Sequence, residues 1–359
     1  MRNLKGLILA AGEGSRLRPF TFSRPKHLVP LLGKPMIQYP LEDLLSAGIS
    51  DICIVIGYFG DTIKEVLNNS SRLRFDARLS YVFQERRLGI AHAIHKAIEE
   101  GFIDKEFVVY LGDNLISEGV KRYVKEFVES HSDVYMLLVK VKNPSAFGVA
   151  TIKDNKVIKL IEKPKEFVSN LAVAGIYMFR DPDLVDKAFK TLKPSWRGEY
   201  EITELIQWFI DNGYRVNYSV VSGWWKDVGT YDGLLDAIYL LLDKVEPRID
   251  GDVLGEISGR VVVEKDATIE GRVYGPAYIS HGVYIGKDAK VEHYVSVERL
   301  ARVRSGSLTR SLVLEYSEID LNKARLVESV VGGYSRITCR RDLHGDVKLV
   351  ASDYSTLVL

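Results

Sequence analysis

The first two thirds of the chain alternate short apolar runs with stretches of helical period. Apolar runs that predict strands lie at 4–9, 52–56, 79–83, 107–111, 134–141, 148–152, 157–161 and 175–179. Helical period is found at 40–47, 61–67, 90–99, 202–212 and 231–245. Strands without polar alternation are covered on both faces, and helices between strands favour parallel pairing. The pattern therefore predicts an α/β fold with a mostly parallel sheet.

The last third of the chain has a different period. Single β-branched residues recur every six positions, at Val273, Ile279, Ile285, Val291, Val297 and Val303, after an earlier run at Ile257, Val263 and Ile269. This period is typical of a parallel β-helix, in which stacked coils bury those side chains. A sandwich of period-two strands is the alternative. Because Glu246-Pro247-Arg248 falls where the period changes, we predict a catalytic domain at 1–245 and a β-helix at 246–359.

Composition and charge restrict the possible partners. The chain has 359 residues, of which 49 are Lys or Arg and 48 are Asp or Glu, so its net charge near +1 gives no general attraction to nucleic acid or to an anionic membrane. No apolar run reaches the roughly 18–20 residues that span a bilayer, and the N-terminus lacks the apolar core of a signal peptide. We therefore expect a cytoplasmic protein with neither nucleic acid nor membrane as partner.

A glycine-rich segment follows the first predicted strand. It reads Leu9-Ala10-Ala11-Gly12-Glu13-Gly14-Ser15-Arg16-Leu17 and is followed by Arg24-Pro25-Lys26. Small residues after a strand let backbone N–H groups face a bound anion, and Arg16 and Lys26 add positive charge. A dinucleotide fingerprint would need a glycine at Leu17, and a Walker loop would end in Gly-Lys-Ser/Thr. Neither is present, so the segment predicts a site for a triphosphate of another kind.

This segment resembles the signature of the sugar-phosphate nucleotidyltransferases. Matching motifs continue along the chain at Gln84, Leu88-Gly89-Ile90-Ala91, Gly112-Asp113-Asn114, Phe147-Gly148-Val149, Glu162-Lys163-Pro164, Pro194-Ser195-Trp196-Arg197-Gly198-Glu199, Trp224-Trp225-Lys226-Asp227 and Asp353-Tyr354-Ser355. Together they resemble the long form of the glucose-1-phosphate thymidylyltransferases over essentially the whole chain. The resemblance implies a Rossmann-like catalytic domain followed by a left-handed β-helix. It also implies that dTTP and glucose 1-phosphate react to give dTDP-glucose and pyrophosphate. One departure is Glu204, where family members commonly have Asp.

The resemblance also implies roles for individual residues at the nucleotide. The predicted nucleotide-binding residues are Leu9, Ala11, Gly12, Gly14, Ser15, Arg16, Gln84 and Gly89. The predicted catalytic residues are Arg16 at the departing pyrophosphate, Lys26 at the α-phosphate, and Asp113 and Asp227, which would hold Mg²⁺. Because the attacking phosphate is already ionised, the chemistry needs no general base, and His27 and His92 are not assigned to it.

A second predicted set of residues would bind the sugar 1-phosphate. It consists of Gly148, Glu162, Lys163 and Val173. Lys163 would hold the phosphate, and the carboxylate of Glu162 is suited to accept hydrogen bonds from sugar hydroxyls.

The sequence leaves three other functions open. The methyl group that separates thymine from uracil is worth only about 1–3 kcal/mol in an apolar pocket, so a UTP-dependent uridylyltransferase acting on glucose 1-phosphate or N-acetylglucosamine 1-phosphate is one alternative. A bifunctional enzyme whose β-helix is an acyltransferase, with His281 or His293 as base, is another. A non-catalytic sensor of sugar nucleotides is disfavoured, because the predicted metal carboxylates are present. We expect the β-helix to mediate a homo-oligomer.

Overall fold

The computed structural model describes residues 4–69, 76–339 and 345–359. The chain forms two compact units. The first consists of Met1–Glu13 and Ile37–Asp227, and the second of Gly14–Met36 and Val228–Leu359. The second unit thus includes a piece of the glycine-rich segment and the helix that precedes the β-helix. The division at residue 246 stays a prediction about the domain organisation.

Strands and helices alternate along the chain up to residue 245. The strands are β1 Lys5–Ala10, β2 Pro30–Leu31, β3 Lys34–Pro35, β4 Asp51–Ile56, β5 Arg78–Phe83, β6 Phe107–Leu111, β7 Asn114–Ile116, β8 Val134–Lys140, β9 Gly148–Lys153, β10 Lys156–Glu162, β11 Leu171–Phe179, β12 Val216–Val220 and β13 Trp225–Asp227. The helices are α1 Gln38–Ser46, α2 Gly60–Asn69, α3 Ile90–Glu99, α4 Lys121–Ser130, α5 Pro182–Phe189, α6 Ile202–Asp211 and α7 Tyr231–Leu242. All eight predicted strands of this part are found, whereas the helices α4 and α5 and the short strands β2, β3, β7, β12 and β13 are additional to the prediction.

A nine-stranded sheet forms the centre of the first unit. Its main order is β10-β9-β11-β6-β1-β4-β5, with β8 paired to β11 and β12 paired to β8. The neighbours β6, β1, β4 and β5 are mutually parallel, while β9, β10 and β11 add antiparallel pairs. The predicted Rossmann-like α/β sheet is confirmed, with these antiparallel strands as an extension of the parallel part.

The core of the first unit explains why these segments are strands. Leu7, Val55 and Val109 lie on neighbouring parallel strands and are fully buried. They belong to one apolar cluster with residues of α3 and α6, among them Ile94 and Phe209. Because the parallel strands are covered by helices, nearly every residue along them is apolar. Their carboxyl ends are left as the edge where polar side chains collect.

The β-helix of the second unit consists of short parallel strands. They are β14 Arg248–Ile249, β15 Asp252–Val253, β16 Glu256–Ser258, β17 Val261–Val263, β18 Thr268–Ile269, β19 Arg272–Tyr274, β20 Ala277–Ile279, β21 Tyr284–Val291, β22 Val295–Val297, β23 Arg302–Thr309, β24 Leu312–Val313, β25 Glu318–Val327, β26 Val330–Val331, β27 Arg336–Thr338, β28 Asp346–Val347, β29 Val350–Ala351 and β30 Thr356–Val358. The six-residue period of the β-branched residues sets the positions of these strands. Ile279 pairs with Val297, and Ile285 pairs with Val303, so each β-branched residue stacks on its equivalent in the next coil. The predicted left-handed β-helix is confirmed.

Cys53 and Cys339 are both buried, and they are not joined in a disulfide. Among the residues that the structure describes, no helix is both long and apolar enough to cross a membrane.

Candidate active site

The end of β1 lies beside the end of β6 in the first unit. Leu9 pairs with Leu111 in the parallel ladder, and the Gly112 amide donates to the Leu9 carbonyl at 2.9 Å. Leu9 therefore lies at the end of the strand, and Ala11 and Gly12 follow it out of the sheet, next to the turn that carries Asp113. This is the carboxyl edge at which parallel sheets bind ligands.

Gln84 follows β5 and is held by two contacts of its side-chain amide. Its Nε2 donates to the Gly89 carbonyl at 3.2 Å and lies 2.9 Å from Nδ1 of His92. Burial, and then the charges of His95 and Lys96, lower the pKa of His92, so its neutral ring can accept this hydrogen bond. Both amide N–H groups then point at protein acceptors, so Gln84 can serve a ligand only through its oxygen.

Gly89 can only be glycine at its position. Its φ is +95°, and a Cβ there would lie 2.6 Å from the carbonyl oxygen of Tyr200. The residue precedes α3 directly, so its backbone lies at the N-terminal end of that helix. The predicted residues Gln84 and Gly89 are therefore in direct contact. His92 supports this contact, although no role was predicted for His92 from the sequence.

The predicted metal ligands Asp113 and Asp227 are brought together by a two-stranded ladder. Asp227 ends β13 and stands opposite Asn114 of β7, the residue directly after Asp113. Asp113 is 8% exposed and accepts a hydrogen bond from Nδ2 of Asn114 at 3.0 Å. The amide oxygen of Asn114 in turn accepts from Nε1 of Trp225 at 2.8 Å. The ladder thus fixes the backbone that carries both carboxylates.

The two aspartates fit a divalent metal ion that takes its other ligands from phosphate oxygens and water. Mg²⁺ takes one or two protein carboxylates and completes its octahedron with phosphate oxygens and water. Among the described residues there is no cluster of three or more His, Cys, Asp or Glu that could form a complete protein cage. A two-carboxylate site needs no such cage.

Gly148 and Glu162 face each other at the ends of β9 and β10. The antiparallel register pairs them directly. A Cβ on Gly148 would lie 2.5 Å from Cγ2 of Thr203 and 3.0 Å from Oε2 of Glu162, so the position requires glycine. Thr203 also donates to Oε2 of Glu162 at 3.3 Å, and Val173 lies at the same place with its Cγ2 3.8 Å from that Cβ position. The structure therefore brings Gly148, Glu162 and Val173 together.

Lys163 adopts a strained conformation immediately after β10. Its φ is +41°, and its amide donates to the Phe147 carbonyl at 3.0 Å. Its Nζ lies 3.9 Å from Oε1 of Glu162. Holding a non-glycine residue in the left-handed region costs on the order of 1–3 kcal/mol, so the surrounding contacts must impose this conformation on Lys163.

Arg197 is a cation of this cluster that was not among the residues predicted from the sequence. Its Nη1 lies 3.5 Å from Oε1 of Glu162 and 3.3 Å from Oε1 of Glu201. Burial, and then repulsion from Glu201, raise the pKa of Glu162 against the opposing effects of Lys163 and Arg197. The sequence signal that could have identified Arg197 was the family motif in which it lies.

Glu204, the departure from the family pattern, lines a cavity of about 610 Å³ together with Glu162.

The remaining predicted phosphate ligands lie in the second unit. Gly14 has φ +67°, and its carbonyl accepts from the Leu17 amide at 2.8 Å and from Oγ1 of Thr21 at 2.9 Å. A Cβ on Gly14 would lie 3.1 Å from Cβ of Lys26, so the stem of Lys26 packs on this turn. Ser15 and Arg16 are exposed beside it. Gly14, Ser15, Arg16 and Lys26 therefore form one group.

Comparison with known proteins assigns the class. Residues 5–244 match the family model described as "Nucleotidyl transferase", and the chain belongs to this family. It is a nucleotidyltransferase. The members join a nucleoside triphosphate to a sugar 1-phosphate, generally with a divalent metal ion.

Individual relatives narrow the class. The chain is 36% identical to a glucose-1-phosphate thymidylyltransferase of Streptomyces griseus over 98% of both chains. It is 35% identical to one of Streptomyces antibioticus, again over 98% of both. A crystal structure of a Bacillus anthracis protein, assigned as a glucose-1-phosphate thymidylyltransferase and solved with sucrose, is similar with TM-score 0.60 and 38% identity. That match covers 68% of this chain and 98% of the other.

Proposed function

We propose that this enzyme transfers a thymidylyl group from dTTP to glucose 1-phosphate, with Mg²⁺, giving dTDP-glucose and pyrophosphate in the cytoplasm. The observation that carries the proposal is the similarity to thymidylyltransferases over 98% of both chains. Such similarity extends over the β-helix as well as over the residues that precede it. The proposal further includes a homo-oligomer formed through that β-helix.

The base is read, in this proposal, by Gln84 and Gly89. The amide of Gln84 directs its nitrogen to Gly89 and His92, and its oxygen can accept the N3–H of a pyrimidine. The backbone N–H of Gly89 supplies a donor for a neighbouring carbonyl of the base. Cytosine carries no hydrogen on N3, so an acceptor at Gln84 favours thymine and uracil over cytosine.

The reaction is an in-line attack of a sugar-phosphate oxygen on the α-phosphorus. Such phosphoryl chemistry depends on positioning and on charge neutralisation. Arg16 binds the β- and γ-phosphates that leave as pyrophosphate, and Lys26 binds the α-phosphate. Asp113 and Asp227 hold the metal ion, which offsets the triphosphate charge when bound. Leu9, Ala11, Gly12, Gly14 and Ser15 line the nucleotide through their backbone.

The sugar 1-phosphate is bound by the cluster around Glu162. Thr203 and Arg197 hold this carboxylate so that it can accept hydrogen bonds from two sugar hydroxyls. Lys163 binds the phosphate, and Gly148, where a side chain would collide with Thr203, lets Thr203 approach Glu162. Val173 supplies an apolar wall.

A uridylyltransferase is the second candidate, because the contact at Gln84 does not distinguish uracil from thymine. Gln84 offers an oxygen to the base, and thymine and uracil present the same N3–H to it. Discrimination then rests on the methyl group alone, which is worth roughly 10- to 200-fold.

A matrix of substrates tests the proposal. Pyrophosphate release should be measured with dTTP or UTP, each with glucose 1-phosphate or N-acetylglucosamine 1-phosphate, in Mg²⁺ and with a chelator. We expect the highest kcat/KM for dTTP with glucose 1-phosphate, UTP within about 200-fold of it, and no turnover after chelation. Preference for UTP, with either glucose 1-phosphate or N-acetylglucosamine 1-phosphate, would establish the second candidate instead. Turnover that persists with chelator would contradict the metal role of Asp113 and Asp227.

A further inference from the structure

Arg24, in the segment between Arg16 and Lys26, is bound to the β-helix. Its Nε donates to Oδ2 of Asp353 at 2.7 Å, and its Nη2 donates to Oε1 of Glu315 at 2.7 Å. Ser23 donates to the same oxygen of Asp353 at 2.5 Å. The side chains of Arg24 and Asp353 are 15% and 2% exposed. Two of the three guanidinium nitrogens are thus directed at β-helix carboxylates.

The pair of carboxylates is produced by the stacking of the coils. Val313 pairs with Val331, and Val331 pairs with Ala351, in successive coils. Two residues after each of these stand Glu315, Gly333 and Asp353, which therefore occupy the same corner. The Gly333 amide donates to Oδ1 of Asp353 at 2.8 Å.

Gly333 provides the room for Arg24 in this corner. A Cβ at Gly333 would lie 2.8 Å from Nη2 of Arg24. One residue further on, Tyr316, Tyr334 and Tyr354 form a stack with ring centroids 4.8 and 5.1 Å apart, which holds the coils in register. The corner is therefore a shaped site for a guanidinium.

The contacts of Arg24 also restrict the position of Lys26, because the one residue between them is a proline. Pro25, between Arg24 and Lys26, has φ −66° and ψ 140°, and its ring fixes φ. Lys26 then begins a 3-10 turn, and its stem packs against Gly14. Fixing Arg24 consequently restricts the position of Lys26 and of the 3-10 turn that it begins.

A second contact holds the segment on the other side of Lys26. The turn between β2 and β3 contains Gly33, whose amide donates to Oε2 of Glu298 at 3.1 Å. Glu298 follows Val297, which pairs with Val313 of the next coil, so this contact lies one coil before the corner that binds Arg24. The group of Gly14, Ser15, Arg16 and Lys26 is thus carried by a segment with anchors at Arg24 and Gly33.

We propose that Arg24 is a positioning residue through which the last coils of the β-helix, by Asp353 and Glu315, hold Lys26 and Arg16 in the arrangement that binds the triphosphate. This rests on the proposed function of Arg16 and Lys26. The β-helix then has a role in the reaction of its own subunit, besides any role in assembly.

Conservative substitutions of the two acids test the role. Asp353→Asn and Glu315→Gln keep side-chain size and remove the charge that Arg24 contacts. Glu318→Gln is the matched control, because Glu318 is in the same coil as Glu315 but pairs with Arg304 and Arg336. We expect Asp353→Asn and Glu315→Gln to raise KM for the nucleotide or lower kcat by roughly tenfold, with KM for the sugar phosphate nearly unchanged. The control should behave as the unchanged enzyme.

A double-mutant cycle and a binding measurement make the result decisive. If Asp353 acts through Arg24, Asp353→Asn should have little further effect in the Arg24→Ala background. Thermal unfolding of each variant, measured in parallel, separates a loss of fold from a change in the kinetics of folded enzyme. Additive effects, or kinetics of both acid variants equal to those of Glu318→Gln, would overturn the inference while leaving the reaction intact. Should dTTP not be the substrate, calorimetric binding of pyrophosphate to the same variants still decides it, because Arg16 and Lys26 bind phosphates whatever the base.

Discussion

Glu298 is a carboxyl group with almost no access to solvent. It is 2% exposed and accepts hydrogen bonds from Oγ of Ser296 at 2.7 Å and from the Gly33 amide. The carboxylate of Glu315 and the buried hydroxyl of Tyr278 are neighbouring groups that can carry charge. Burial raises the pKa of Glu298 from its ordinary value to about 7, against the opposing hydrogen bonds. The protonated form is therefore the one that the fold favours.

This pKa predicts a pH dependence of stability. The folded chain binds more protons at Glu298 than the unfolded chain does, so the contribution is full below about pH 4.5 and is lost as pH rises through about 7. Glu298→Gln keeps an acceptor for Gly33 and carries no charge. Between about pH 5 and pH 8, the stability of this variant relative to the unchanged protein should rise by on the order of 1–3 kcal/mol.

Thermal midpoints of both proteins across that range are the measurement. Glu318→Gln serves again as control, since its carboxylate is 37% exposed and lies on the outside of the same stack. Curves for the Glu298 variant and the unchanged protein that run parallel across the range would contradict the prediction.

The ladder of β9 and β10 sets the position of Glu162 and Lys163. Gly148 stands opposite Glu162, and Thr203 of α6 fills the space that a side chain at 148 would need. A methyl group at 148 cannot be accepted unless Thr203 moves, because the separation from Cγ2 would be only 2.5 Å. The contact between a strand end and a helix is thus what keeps Glu162 in place.

Gly148→Ala should therefore impair use of the sugar phosphate. We expect KM for the sugar phosphate to rise, with kcat/KM lowered by roughly ten- to a hundredfold, and KM for the nucleotide to change little. Thr203→Ser removes Cγ2 and keeps the hydroxyl that donates to Glu162, so the double variant should recover part of the loss. Steady-state kinetics with each substrate varied in turn checks this. A double variant as impaired as Gly148→Ala would show that Thr203 is not the obstacle.

How far the sequence predicted these elements depended on whether the signal was local. Strand β9 and the carboxylate of Asp113 at a strand end could be placed from apolar runs and the motif that follows them. The period of six placed Ile279 against Val297 in the ladder. In contrast, Arg197 reaches Glu162 across 35 positions of sequence, and no periodicity encodes such a contact.

The anchor of Arg24 could not have been predicted for a related reason. It depends on Glu315 and Asp353 occupying one corner, although they are separated by coils of unequal length. A strict period of six would not align them. Their positions follow from where the residues between coils are accommodated, which only the folded chain shows.

At the scale of the whole molecule, the second unit joins segments from distant parts of the chain. Helix α7 contacts the coils through the hydroxyl of Tyr239, which donates to the Arg310 carbonyl at 2.9 Å. Asp243 accepts from the hydroxyl of Tyr294 at 2.9 Å and pairs with Arg260 at 3.1 Å. These contacts act together with those of Arg24 and Gly33. Residues before 245 are thus stabilised by residues after it.

The solved chain of the Bacillus anthracis relative matches only part of this chain. Almost all of it, 98%, corresponds to 68% of this chain. In this chain, however, Arg24, Gly33 and Asp243 have partners in the β-helix. These contacts make the β-helix part of the fold of the preceding residues.

Truncation after Val245 should consequently inactivate this enzyme. The cut leaves Arg24 without both carboxylates and Gly33 without Glu298, so we expect kcat/KM to fall by at least about a hundredfold and the thermal midpoint to fall with it. Removal of residues 345–359 alone deletes Asp353 but keeps Glu315, Glu298 and the contacts of α7, and should give an intermediate loss. Kinetics, thermal unfolding and light scattering on the three chain lengths distinguish the causes. If the chain ending at Val245 were monomeric and fully active, the β-helix would serve assembly alone. If activity instead falls in graded steps, while the chain lacking 345–359 keeps its oligomer size, the loss comes from the triphosphate segment within each subunit.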